Sequence, residues 1–197
     1  MQARSRAVKT LDHAMSGHAG SEACNIFVEA SGLKYLFNAF MGKVPPLISF
    51  TLNSPPEKVK QPLKKQKGST QTSAPEDTTH TLGILSSLFT NLPSDSSARI
   101  RLLAKFVENN YEKTDKLLDI RTSAQTRLTV VDREIAAEKK ALLEDAEEIG
   151  GEEEDAWYLR RLDGGLYTLQ TVDYILAWVI MEDDGVCAIR LLTCMPL

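Results

Sequence analysis

ENNYEKTDKLLDIRTSAQTRLTVVDREIAAEKKALLEDAEEIGGEEEDAWYLRRLDGGLYTLQTVDYILAWVIM, residues 108–181, decides the fold of this 197-residue chain. It contains no proline, and its glycines occur only as the pairs Gly150-Gly151 and Gly164-Gly165. Leu117, Ile120, Ala124, Leu128, Val131, Ile135 and Leu142 recur mostly three or four positions apart, which lines them along one face of an α-helix. After an acidic break at residues 144–155, Leu159, Leu162, Leu166, Leu169, Val172, Leu176 and Val179 do the same. The pattern predicts two long amphipathic helices joined by a charged elbow. Such a hairpin needs a neighbour to cover its remaining apolar face. It reads as a scaffold element rather than a catalytic one.

Working outward, residues 3–15 predict a helix with Ala7, Val8, Leu11, Ala14 and Met15 along one side, ended by Gly17 and Gly20. Ser21 is the expected N-cap of a short helix through Ala30, with Glu22 well placed for the helix dipole. Gly32 is expected to close it as the residue after the C-cap, and residues 33–41 form the next helix. Three helices within about 40 residues have the length of one armadillo-type repeat. Residues 43–78 change character: Pro45-Pro46 and Pro55-Pro56 break the pattern, and a Ser/Thr/Gln-rich run follows, so a flexible insertion is expected. Thr78 or Thr79 is expected to cap the next helix, which buries Leu82, Leu85, Leu88, Phe89 and Leu92 until Pro93 stops it. A short helix over residues 99–108 is expected to carry Ile100, Leu103, Phe106 and Val107 inward.

Composition sets the outer bounds. At 43% hydrophobic and 25% charged the chain lies in the ordinary globular range. A net charge of −4 gives no general case for nucleic acid, but its distribution is uneven. Residues 42–68 hold six lysines against Glu57, a balance of +5, and residues 132–155 hold eleven acids against three bases, a balance of −8. Three cysteines, Cys24, Cys187 and Cys194, fit a reducing intracellular compartment better than a disulfide framework. The most apolar run, residues 174–181, is too short to cross a bilayer.

Particular stretches resemble a known family, that of beta-catenin-like protein 1. They are LDHAM (residues 11–15), the Gly20, Cys24, Phe27-Val28 run, Gly32-Leu33, Phe40-Met41, ILSSLFTNL (84–92), RLLAKFVEN (101–109), EKTDKLL (112–118) and, most specifically, YLRRLDGGLYTLQ (158–170). The match runs from Val8 to Met181 and is weakest at residues 43–79. The resemblance implies an all-α, armadillo-like helical solenoid. It also implies a nuclear, non-enzymatic scaffold that joins spliceosome-associated (Prp-nineteen-type) complexes and binds basic, nuclear-localisation-type segments of splicing factors. Against the family pattern the chain corresponds to the C-terminal part of the array. Residues 1–42 are expected to be repeat helices and 79–184 the C-terminal helices with the long hairpin, while 185–197 form a divergent tail.

The candidate docking residues are Glu138, Glu147, Glu148, Glu152, Glu153 and Asp155, because acids on a fixed surface attract and hydrogen-bond Lys/Arg-rich peptides. The plainer reading of the same acids is a solvated elbow, with residues 152–154 as favourable charges at a helix N-terminus. Residues 59–67 (VKQPLKKQK) read as a solvated loop, with an import signal as alternative. Lacking interleaved aromatics, they disfavour direct RNA binding. His13, His18, Cys24 and His80 match no zinc spacing, and a structural role is expected for them. No nucleophile–base pair or phosphate loop is recognisable, so no catalytic residue, metal or cofactor is expected. Gly164-Gly165 inside a helix costs about 1 kcal/mol per glycine, which predicts either the close approach of a neighbouring helix or a kink. Arg160 and Arg161 are expected to pair with the elbow acids, and Trp157 and Tyr158 to be core or groove-wall aromatics. The alternative architecture is a homodimer in which the Leu117-to-Leu142 stripe forms a coiled coil with a second copy.

Overall fold

A computed structural model describes residues 2–42, 75–144 and 150–182. Among these the chain forms helices and turns with no strand: α1 (Gln2–Met15), a 3₁₀ turn (His18–Gly20), α2 (Ser21–Glu29), α3 (Gly32–Phe40), α4 (Pro75–Asn91), α5 (Ser97–Glu144), α6 (Gly151–Arg161), a π turn (Leu162–Leu166) and α7 (Tyr167–Glu182). The expected all-α class is what the chain adopts. Most of the expected insertion and the whole divergent tail lie outside the described residues. α4 begins at Pro75, ahead of the cap expected at Thr78 or Thr79, as suits a proline at the start of a helix.

α1 packs on α4, α4 on α7, and α7 on α5, with α2 and α3 laid across the end. The shared core holds Leu82, Leu85, Leu88 and Phe89 from α4, Leu102 and Phe106 from α5, and Val172, Ile175 and Val179 from α7. Phe106 is its centre, with the Phe37 ring edge-on at 5.2 Å and the Phe89 ring at 5.7 Å. Two turns differ from the pattern the sequence predicts. The left-handed residue between α2 and α3 is Ser31 (φ 62°, ψ 25°), and Gly32 is the first residue of α3. Gly32 is required for another reason: a Cβ there would lie 2.5 Å from the Phe27 ring. Ser21 does not cap α2, because its hydroxyl donates to the Asn91 carbonyl at 3.2 Å. Asn91 in turn donates to the Met15 and Gly17 carbonyls at 3.0 Å, so the end of α4 caps the end of α1.

α5 is broken at residues 108–111. Glu108 is extended, and Asn109, Asn110 and Tyr111 are all left-handed, with φ of 55°, 56° and 64°. Asparagine tolerates this region and tyrosine rarely enters it. The first segment of α5 is rotated in part from its expected register: Phe106 is fully buried and Leu103 half-buried as expected, but Leu102 is fully buried as well, whereas Ile100 and Val107 are 61% and 41% exposed.

Arg99 sets that rotation. Its side chain is entirely buried, with Nε donating to both Glu182 carboxylate oxygens at 3.0 and 3.1 Å. Nη1 donates to the Phe89 carbonyl in the last turn of α4. The guanidinium carbon lies 4.5 Å from the Phe89 ring centre and 4.6 Å from that of Trp178. One side chain therefore ties α4, α5 and α7 together.

The hairpin stripe is as expected along α5: Leu117, Ala124, Leu128 and Ile135 are buried, and Ile120 and Val131 half-buried. On the returning strand of the hairpin the π turn changes the register. It inserts an extra residue into a helical turn, so Trp157 is buried before it while Leu159 is 60% exposed. Its cause is the glycine pair. Gly165 has φ of 126°, and a Cβ on it would sit 2.9 Å from the Ala124 carbonyl oxygen; one on Gly164 would sit 2.7 Å from a Val131 methyl. Both expectations for the pair, close approach and kink, hold together.

Glu182→Ala should lower the unfolding free energy by about 3–5 kcal/mol in urea titrations, because it leaves a buried guanidinium uncompensated. The double change Arg99→Met with Glu182→Leu should recover most of that loss. Gly165→Ala should cost about 2–3 kcal/mol through its positive φ and the backbone it would strike. A thermal midpoint equal to wild type would show that α5 and α7 can separate without penalty.

Candidate peptide-docking surface

The acidic residues gather where α5 and α6 meet. Beyond Ile135 the α5 helix has little around it: Ala136, Ala137, Lys139, Lys140 and Ala141 are all exposed. What holds this end is a polar lattice between the two helices. Glu138 accepts two bonds from Arg160 Nη1, both at 2.7 Å, and one from Trp157 Nε1 at 3.0 Å. Glu134 reaches Arg160 at 3.4 Å, and Arg161 Nε donates to Asp132 at 2.7 Å. Lys139 Nζ stands 4.6 Å from the Trp157 ring centre, a cation over an aromatic face. Arg160 and Arg161 do pair with acids, but with those of α5 rather than those of the elbow.

This arrangement sorts the candidate residues. Glu138 belongs to the lattice: the Arg160 hydrogen bonds, and then that of Trp157, hold its carboxyl below the ordinary value of 4.5. The reciprocal effect of Glu138 pushes the Arg160 guanidinium up. Glu153 accepts from the Gly150 backbone N–H at 3.0 Å, which fixes the start of α6. Glu152 and Asp155 are exposed, as is Glu154, which is not among the six candidate docking residues. None of these three joins an ion pair among the described residues. They sit near the α6 N-terminus, where the helix dipole favours negative charge. Glu147 and Glu148 lie outside the described residues. The surface thus offers free carboxylates on a helix end held by its own cross-links, an arrangement suited to ammonium and guanidinium groups.

The remaining candidates are structural or scattered. His80 Nδ1 lies 2.8 Å from the Asp12 carboxylate, and the His13 and His80 rings are 6.4 Å apart. His13 is exposed, whereas Cys24 is fully buried. The Cys24 thiol points at the Met15 and Ser87 carbonyls, and burial pushes its pKa up from 9.0, which favours the unreactive thiol. Among the described residues no group of His, Cys, Asp and Glu is placed to hold a metal ion. No helix among them is long and apolar enough to cross a membrane.

Because the Glu138 pKa is depressed by folding, its contribution to the hairpin end is complete well above pH 4.5 and is lost as pH falls through the lower, folded value. Protection factors of the amides across residues 134–142 and 151–161, with the intrinsic pH dependence of exchange divided out, should therefore fall on acidification below about pH 4.5 in the wild type. In Glu138→Gln they should already be low at neutral pH and show less acid dependence.

The family described as "Catenin-beta-like, Arm-motif containing nuclear" matches residues 1–193. Beta-catenin-like protein 1 of Mus musculus is 38% identical over 174 residues, covering 88% of this chain, and that of Homo sapiens is 37% identical over the same length. The beta-catenin-like protein 1 homolog of Schizosaccharomyces pombe is 31% identical over 182 residues, or 92% of the chain. The chain spans 26–27% of the length of these relatives. With its Arm-type helical architecture and this match along nearly its whole length, the chain belongs to the catenin-beta-like, Arm-motif containing nuclear family.

Proposed function

We propose that this chain is a non-enzymatic docking scaffold that works in the nucleus within pre-mRNA splicing assemblies. In this reading the acidic end of the α5–α6 hairpin receives basic, nuclear-localisation-type segments of partner proteins. The observation that carries the reading is the contrast within one acidic cluster. Glu138 and Glu153 are engaged in holding the hairpin end, while Glu152, Glu154 and Asp155 face solvent. A surface whose shape is already fixed loses little conformational freedom when an extended peptide settles on it. Membership of a nuclear Arm-motif family supports both the scaffold role and the compartment. The splicing assembly is the finer part of the proposal and rests on the family resemblance.

Self-association through the Leu117-to-Leu142 stripe finds little support. Leu117, Ala124, Leu128 and Ile135 are already covered within the chain, by α7, the π turn and α6.

The test uses a fluorescent Lys/Arg-rich peptide of import-signal type. Changing Glu152, Glu154 and Asp155 together to Lys should weaken binding on the order of tenfold or more at low salt, with far-UV circular dichroism unchanged. Recovery of splicing proteins from nuclear extract should fall in parallel. Undiminished peptide affinity in the triple variant would remove the acidic surface as the receptor.

A further inference from the structure

We propose that a second surface of this chain, the trough between the first turns of α4, the middle of α5 and the start of α7, binds an extended phosphoserine-containing acidic peptide. The trough encloses about 320 Å³ and is walled by residues of all three helices. On α5, Lys116, Ile120, Ser123 and Arg127 line it at spacings of four, three and four, which keeps them on one face. Thr78 of α4 and Thr168 of α7 add hydroxyls from the opposite side.

The charges of the trough are the basis for a ligand. Several cations of the chain are tied to carboxylates on a second helix: Arg99 with Glu182, Arg121 with Asp173, Arg160 with Glu138 and Arg161 with Asp132. Neither Lys116 nor Arg127 joins an ion pair among the described residues. Arg127 Nη1 only reaches the Ser123 hydroxyl, at 3.5 Å. The acids in the first turn of α4 are turned away toward α1, where Glu76 meets Lys9 and Asp77 meets Ser5. Asp119 is the one acid in the wall, so the trough carries two positive charges against one negative.

The shape and the donor set select the ligand. Lys116 and Arg127 are three helical turns apart, roughly 16 Å along the axis. Each carries its charge at the end of a long side chain, so a short extended strand lying along the trough could bring a phosphate to Arg127 and an acidic side chain toward Lys116. A phosphomonoester has three acceptor oxygens and about −1.5 to −2 charge, enough to engage the Arg127 fork and neighbouring hydroxyls together. A following carboxylate would meet Lys116. The apolar floor at Ile120 gives the peptide's own atoms something to cover. Aromatic side chains for stacking bases are missing from the trough's walls, which favours a phosphopeptide over RNA.

The experiment titrates the full chain against fluorescein-labelled Gly-phosphoserine-Gly-Glu-Gly amide and its unphosphorylated twin, read by anisotropy. The phosphorylated peptide should bind at least about tenfold tighter. Arg127→Gln and Lys116→Gln should each weaken it severalfold, and Asp119→Asn should tighten it, a gain that a folding defect cannot mimic. The triple change at Glu152, Glu154 and Asp155 should leave this binding intact, so failure here and failure of the acidic surface are told apart. Equal binding of the two peptides, no saturable binding, or indifference to the three trough variants would overturn the proposal. So would displacement of the peptide by inorganic phosphate at equal concentration, which marks a free-anion site, or by oligouridine, which marks an RNA site.

Discussion

The Arg99 guanidinium ties three helices of this array together through contacts of fixed direction. A cation removed from water needs a counter-charge and hydrogen-bond acceptors in nearly all its donor directions. It finds the counter-charge on α7, in Glu182, and a carbonyl acceptor on α4, in Phe89. The rings of Phe89 and Trp178 stand within cation–π distance of it. Hydrophobic packing between helices tolerates sliding by a turn, whereas this set of contacts has one arrangement. It fixes the rotation of the first α5 segment and so leaves Ile100 and Val107 outside. The left-handed run at residues 109–111 then lets the rest of α5 leave in a different direction.

A second constraint operates at the far end of the molecule. Gly164 and Gly165 bring the π turn against Ala124 and Val131 with no room for a Cβ. The close approach anchors the middle of the hairpin, and the lattice around Glu138, Trp157 and Arg160 extends order beyond it, where apolar burial has largely run out. Single surface ion pairs contribute little. Here two share Arg160 across two helices, Glu138 also accepts from Trp157, and the Trp157 ring is covered by Lys139. Rigidity at the hairpin end is thus electrostatic in origin, while the body of the array is held by its apolar core and by Arg99.

These two constraints divide the surface into unlike faces. The hairpin end presents carboxylates that join no ion pair among the described residues, and the trough between α4, α5 and α7 presents two cations and hydroxyls beside one acid, Asp119. On the two proposed readings, such a scaffold would tell basic from phosphorylated segments by sign of charge, with long-range attraction steering each toward its own face before close contacts form.

By itself the sequence determined the helical class, the α5 stripe from Leu117 to Ile135, the special role of Gly164-Gly165 and the family, because each rests on local periodicity, local backbone cost or directly matched residues. The tertiary structure alone decided which charges are used internally. Arg99 reads as a surface residue at a helix start, and its burial depends on Glu182, 83 positions away. Glu138 and Glu152 look alike in the acidic run, yet one faces Arg160 and Trp157 across the hairpin and the other faces solvent. The register change at the π turn, which left Leu159 outside, follows from a close helix approach that no periodicity count contains. Spacing along a chain specifies which side chains share a face; what lies opposite that face is set by contacts between residues far apart in sequence.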